Sequence, residues 1–200
     1  GVIMLRQPEQ RLLSGWFHPA GYHHGWQPWR GKPESPLQYA RALAGATVKM
    51  LTRSTDHNDH NPPTPEEVSI ARRRLREGFA FVGILERYVM SICLAHAMFG
   101  GSCRAEEFFK VHASDQSKPG GYDPSLLQGF RDTADGAVYE EGMRIFEENL
   151  RVYGVSEASC RPCFELAAAG AQYSKTFKKQ AAWERMLKGA NDMWLGKVIM

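Results

Sequence analysis

The chain has 200 residues, enough for one domain with its own core. Its 43% hydrophobic and 24% charged residues are ordinary for a globular protein. With 25 basic against 22 acidic residues the formal charge is only +3, too small and too scattered for a nucleic-acid surface. No stretch approaches the roughly 18 apolar residues of a membrane span; residues 88–99 come nearest, and they contain Ser91 and His96.

The run Val2-Ile3-Met4-Leu5 reads as a buried apolar strand that ends at Arg6. Pro8 then starts a helix reaching about Phe17, because proline is pre-organised for the first helical turn. That helix carries Ser14, eight residues after Arg6. An arginine at a strand's carboxyl end, facing a hydroxyl in the next helix, suits a dianionic phosphate. The guanidinium forks onto two phosphate oxygens, and the hydroxyl and free N–H groups add donors near the positive end of the helix dipole. Residues 18–34 form a loop dense in Gly, Pro, His and Trp, and Ser35-Pro36 starts a short helix. Residues 53–63 are a polar loop. They end at Thr64-Pro65-Glu66-Glu67, a capping box with proline at the first helical position.

That helix stops at Gly78, and residues 79–84 form a continuous apolar run that fits a fully buried central strand. After Glu86 the apolar positions Val89, Ile92, Cys93, His96 and Phe99 take helical spacing. Lys118-Pro119-Gly120-Gly121 marks a turn or linker. From Asp135, the residues Tyr139, Met143, Phe146, Leu150 and Tyr153 step by four and three to Gly154, which predicts an amphipathic helix. Residues 164–195 also read as helical. The basic clusters Arg72-Arg73-Arg74 with Arg76, and Lys175 with Lys178 and Lys179, are read as solvated helix faces.

Four cysteines are few for a disulfide scaffold. Cys93 is read as a free thiol acting as a small core hydrophobe. An oxidising compartment would favour one bridge among Cys103, Cys160 and Cys163; the chain alone does not choose among the pairings. The pair Cys160 and Cys163 supplies half a zinc site, and no second Cys-x-x-Cys or His-x₃-His completes it. His18, His23, His24, His57 and His60 are split between two loops and read as solvated histidines, so no metal is expected.

Four blocks, in order, resemble the Golgi-type carbohydrate O-sulfotransferases. Arg6 and Ser14 after a strand are similar to the family's element for the 3′-phosphate of 3′-phosphoadenosine-5′-phosphosulfate (PAPS). Gly45 to Thr52 is similar to its "G-x-x-x-K-M-L-T" segment. Phe79 to Gly101, a strand, Val-Gly, a glutamate and a helix ending in Phe-Gly-Gly, looks like its second half. Asp135, Tyr139, Phe146, Tyr153 and Gly154 match its late "D-x-x-x-Y … F … Y-G" helix.

The resemblance spans residues 1–154, with 155–200 as a helical C-terminal extension. It implies a single partial domain of α/β class: a P-loop-NTPase-like sulfotransferase fold, truncated, helix-rich, with a few central parallel strands. It further implies PAPS as co-substrate, a carbohydrate or glycan acceptor, the Golgi lumen, and a membrane held only through an N-terminal anchor outside this sequence. Arg6 and Ser14 would bind the 3′-phosphate, with Glu86 and Arg87 supporting the site from the end of a core strand.

The family's loop over the adenine and 3′-phosphate corresponds to residues 111–118, with Ser114, Ser117 and Lys118 as contacts. The sequence departs there, since His112 stands where arginine is common and Asp115 is unhelpful beside a phosphate. Tyr22, Trp26, Trp29 and Arg30 are the candidates for the acceptor, because aromatic faces pack on the C–H face of a pyranose. No P-loop-like lysine segment stands before Arg6, so the sequence is read as a C-terminal portion whose 5′-phosphosulfate loop and general base lie upstream. One of the loop histidines standing in as the base is an alternative. The other readings are a kinase or similar P-loop-like nucleotide enzyme, and a non-catalytic helical interaction domain that has lost the donor site. Only the first reading has a use for the Arg–Ser pair.

Overall fold

Two short parallel strands, with helices wrapped around them, organise the chain. The computed structural model describes residues 1–17, 33–53, 61–109 and 121–170. β1 (Val2–Leu5) pairs with β2 (Phe81–Ile84) in the register Val2 to Phe81 through Leu5 to Ile84. Between them lie α1 (Pro8–Phe17), α2 (Pro36–Leu43), α3 (Ala46–Thr52) and α4 (Pro65–Gly78). A 3-10 turn, Leu85–Arg87, leads into α5 (Tyr88–Phe99), and further 3-10 turns at Ala105–Phe108 and Pro124–Leu127 precede α6 (Thr133–Val152). Residues 161–170 are helical. The described residues are therefore a helix-rich α/β arrangement with a two-stranded parallel sheet.

The local signals act as their chemistry dictates. Ser35 Oγ accepts the Gln38 N–H at 3.2 Å and caps α2. Thr64 and Glu67 close the capping box of α4: Glu67 N–H donates to Thr64 Oγ1 at 3.2 Å and Thr64 N–H to Glu67 Oε2 at 2.8 Å. Arg53 adds a two-pronged pair to the same Glu67, at 2.7 and 2.8 Å. Those Arg53 bonds, ahead of the Thr64 N–H, hold the Glu67 carboxyl down at about 2. α1 starts at Pro8; α6 begins two residues before Asp135 and ends at Val152, leaving Tyr153, expected on its apolar face, as an exposed C-cap.

One core gathers Leu5, Val48, Leu75, Val82, Ile84, Leu94, Val138 and Phe146 around the sheet. α6 lies against β2, α4 and α3. The close approach falls at Gly142, where a Cβ would collide with the Leu5 side chain. A second cluster joins Leu12, Leu13, Ala40, Tyr122 and Leu127 under α1 and α2.

Several expectations are corrected. β1 is not a buried strand: Leu5 is, but Val2 and Met4, on the alternate face, are 69% and 38% exposed. β2 starts two residues later than the apolar run, and its four residues are buried. The buried side of α5 is Met90, Ser91 and Leu94, while Phe99 is exposed. That helix is apolar on every side, so spacing could not select its face. Arg72 and Arg76 are not merely solvated. With Arg144 they hold the buried carboxylate of Glu141, at 3.0 Å from Arg72 and 2.9 Å from Arg76, and tie α4 to α6. Burial works to raise the Glu141 carboxyl, but the three guanidinium bonds outweigh it and hold it at about 2.

The cysteines give the largest correction. Cys93 is not a free thiol; it is bonded to Cys160, and Cys103 is bonded to Cys163. Both halves of the Cys-x-x-Cys pair are therefore spent in separate bridges rather than offered to zinc. The two bridges fasten residues 160–163 to α5 and to the segment after it.

Candidate functional site

The carboxyl ends of the two parallel strands lie side by side, so Arg6 and Gln7 after β1 stand beside Glu86 after β2. Ligands of open α/β sheets bind at this edge, where successive chains turn away from the strand ends. The turn after β2 is fixed by Ser91, fully buried on α5. Its hydroxyl accepts the Ile84 N–H at 2.8 Å and donates to the Ile84 carbonyl at 2.9 Å. The strand's last residue is thereby satisfied, and Glu86 is held at the rim.

Glu86 collects three groups. Gln7 N–H donates to Oε1 at 3.0 Å, the Tyr139 hydroxyl donates to Oε2 at 3.2 Å, and Arg6 Nε lies 4.0 Å from Oε1. Burial, and then the charge and hydrogen bond of Glu86, push the Tyr139 hydroxyl up to about 12. Arg6 is 25% exposed in its side chain, and its guanidinium donates no hydrogen bond among the described residues. It lies over the Tyr122 ring, 5.6 Å from the centroid. Ser14 is half-buried on α1 and likewise makes no side-chain hydrogen bond among the described residues. Its spacing of four and seven residues places it on the helix face of Gln10 and Gln7, and Gln10 bonds to Tyr122.

Behind this edge a buried polar network sets α1, α3 and α6 relative to one another. Asp135 Oδ2 accepts the Thr47 N–H at 2.9 Å and Arg11 Nη2 at 3.0 Å, while Oδ1 accepts the Val48 N–H at 2.9 Å. These are orphan donors of the first turn of α3. Asp132 accepts the Gly45 N–H at 2.9 Å and caps α6 through the Asp135 N–H. Gly45 sits at φ 69°, a left-handed conformation that glycine adopts without penalty. Burial and the neighbouring Asp135 push the Asp132 carboxyl up, against the Gly45 and Asp135 N–H groups and Arg11. Glu9, also buried, accepts the Asp132 N–H at 3.1 Å.

Two cavities flank the edge. One of about 370 Å³ is bordered by Gln7, Glu9, Arg131, Thr133, Tyr139 and Glu140. Another of about 330 Å³ is bordered by Glu86, Arg87, Tyr88, Glu157 and Phe164. Arg6 lines neither of them.

The structure thus brings Arg6, Glu86 and Tyr139 together, with Asp135 one turn before Tyr139 on α6. Arg87 is turned away from Arg6; it pairs with Glu147 and lies 5.1 Å over the Phe146 ring. Ser114, Ser117 and Lys118, and the acceptor candidates Tyr22, Trp26, Trp29 and Arg30, lie outside the described residues. Tyr122 was not legible beforehand: an aromatic after a glycine pair carries no local mark, and its partner Arg6 is 116 positions away.

His96, Cys103 and Glu107 bring possible metal-ligand atoms within 4.8 Å of one another. The sulfur of Cys103 is already bonded to Cys163, which leaves two ligands. His96 Nε2 is 3.0 Å from both Glu107 oxygens. Burial works to raise the Glu107 carboxyl, but the Arg104 N–H and His96 hold it below its ordinary range.

No family model matches the chain, and no curated protein or solved structure matches it.

Proposed function

We propose that this chain carries the 3′-phosphate-binding and acceptor-side part of a PAPS-dependent carbohydrate O-sulfotransferase with a P-loop-like fold. The observation that carries the reading is Arg6, a part-buried guanidinium at the carboxyl end of a parallel sheet, which has Glu86 4.0 Å from its Nε and donates no hydrogen bond to the described residues. A phosphate at its Nη groups would add charge-assisted hydrogen bonds that Glu86, at 4.0 Å, does not supply. Ser14 adds an unspent hydroxyl on the next helix. The separate sequence blocks also converge: Asp135 of the late helix caps the Gly45–Thr52 segment, and Tyr139 of that helix meets Glu86 after the second strand.

In this reading Arg6 meets the 3′-phosphate as a fork, and Glu86 keeps the guanidinium turned toward the ligand edge. The cavity beside Gln7 and Tyr139 offers polar groups to a hydroxylated acceptor. Sulfuryl transfer would be in line, to a hydroxyl deprotonated by a base from the upstream part. Two disulfides suit an oxidising compartment such as the Golgi lumen.

The test is calorimetric titration of the chain with 3′-phosphoadenosine-5′-phosphate and with adenosine 5′-phosphate, for wild type and Arg6→Ala. A charge-assisted bond is worth about 1.5–3 kcal/mol. Loss of either the 3′-phosphate or Arg6 should therefore weaken binding on the order of tenfold to a hundredfold. Equal affinity for the two nucleotides, or none from a folded chain, refutes the reading and favours the non-catalytic domain.

A further inference from the structure

We infer that Tyr122 is a positioning residue for Arg6: its ring fixes the plane of the guanidinium so that the two Nη groups, rather than Nε, meet the incoming phosphate. The inference rests on the phosphate-site reading above and adds to it a residue the sequence did not mark. Arg6 lies between two constraints. The Tyr122 ring sits under the guanidinium at 5.6 Å, within the range of a cation–π contact. Glu86 approaches from the Nε side at 4.0 Å. A guanidinium with a ring beside its carbon and a carboxylate on its Nε side keeps its Nη edge for a ligand. That edge is the one that binds phosphate oxygens in pairs.

Tyr122 is itself held tightly enough to serve as a platform. Gln10 grips its backbone from both sides: the Tyr122 N–H donates to Gln10 Oε1 at 2.7 Å, and Gln10 Nε2 donates to the Tyr122 carbonyl at 2.9 Å. Phe17 stacks on the ring at 5.3 Å with an interplanar angle of 11°. Tyr122 is 6% exposed and belongs to the cluster of Leu12, Leu13 and Leu127. Gln10 and Phe17 are on the helix that carries Ser14, so the element that bears the second proposed phosphate donor also holds the ring. An unsupported arginine would search many rotamers before each binding event, and pre-orienting it lowers that cost.

The test compares wild type, Tyr122→Phe, Tyr122→Leu, Arg6→Ala and the Arg6→Ala/Tyr122→Leu double variant. Each is titrated with 3′-phosphoadenosine-5′-phosphate and adenosine 5′-phosphate. In parallel, the Arg6 Nε–H resonance is followed by NMR without ligand. Tyr122→Phe keeps the ring and is expected to bind as wild type does. Tyr122→Leu is expected to lose about tenfold in affinity for the 3′-phosphorylated nucleotide. It should change nothing further once Arg6 is alanine, and its Arg6 resonance should lose the ring-current shift.

A Tyr122→Leu loss that persists in the Arg6→Ala background, or an Arg6 resonance unmoved by removal of the ring, overturns the positioning role while leaving the phosphate site standing. Wild type without preference for the 3′-phosphate overturns the site and this role with it, whatever the resonance shows. Should Tyr122→Leu fail to fold, Gln10→Leu releases the same platform from its backbone grip. The expectation is then a smaller loss, again only while Arg6 is present, and an unchanged affinity refutes the role.

Discussion

Replacing Cys103 and Cys163 together by serine tests how the two bridges share the stabilisation of the chain. The bridges interlace in sequence: Cys93 to Cys160 spans 67 positions, and Cys103 to Cys163 spans 60. Taken alone, a bridge over a loop of that length restricts the unfolded chain by about 4.3 kcal/mol at 25 °C in the loop-entropy treatment. The second bridge adds less. With Cys93 bonded to Cys160, the path from Cys103 runs ten positions back to Cys93, across the bond, and three positions on to Cys163. That shorter loop of about 13 residues is worth about 3 kcal/mol. The serine pair should therefore lose about 3 kcal/mol rather than 4.3, and a chain with all four cysteines replaced about 7.

This pair is the cleaner one to remove, because Cys160 is fully buried and a serine there would add the cost of a buried hydroxyl. The assay is urea unfolding at pH 7 without reductant. The denaturant slope should rise along with the loss, since the less restricted unfolded chain exposes more surface. A loss below about 1 kcal/mol would show that the bridge does not act through the unfolded state. So would a slope unchanged from wild type.

The Glu141 clasp predicts a pH dependence. Its carboxyl lies at about 2 in the folded chain against an ordinary 4.5, so its stabilisation is present above pH 4.5 and is lost as the pH falls toward 2. The shift sets a ceiling of about 3 kcal/mol. Since the arginine side chains are about half exposed, solvent screening reduces it to about 1–2 kcal/mol. Glu141→Gln should lose that amount in urea unfolding at pH 7 and little at pH 2; a difference that does not change with pH refutes the assignment. Asp135→Asn should lose about 2 kcal/mol, because the part-buried Arg11 pair loses its charge and at least one of the Thr47 and Val48 N–H bonds loses its acceptor. A loss under 1 kcal/mol in thermal or urea unfolding would show that solvent replaces Asp135 there.

Signals carried by a few neighbouring residues were legible in the sequence. Pro8, Ser35-Pro36 and Thr64-Pro65-Glu66-Glu67 set helix starts by satisfying, or dispensing with, first-turn N–H groups, and the structure places the helices there. The period from Asp135 to Tyr153 gave α6, because one face of that helix is apolar and the other charged. The uniformly apolar α5 offered no such contrast, so its buried side emerged only from contact with β2.

Arg6 was legible as a strand-end cation, but its surroundings were not. Glu86 comes from the turn after β2, 79 positions beyond Gln7, Tyr139 from a helix later still, and Tyr122 from a segment that no local pattern distinguishes. The same distance hid the cysteine pairing, since four thiols fit several pairings until α5 and residues 160–163 are set against each other. Sequence determined elements whose stability is local: caps, turns and amphipathic periods. Which strand edge is buried, which carboxylate meets which arginine and which sulfurs join depend on contacts between distant segments. Only the tertiary structure decides those, because loop closure brings such segments together at a cost that no local pattern records.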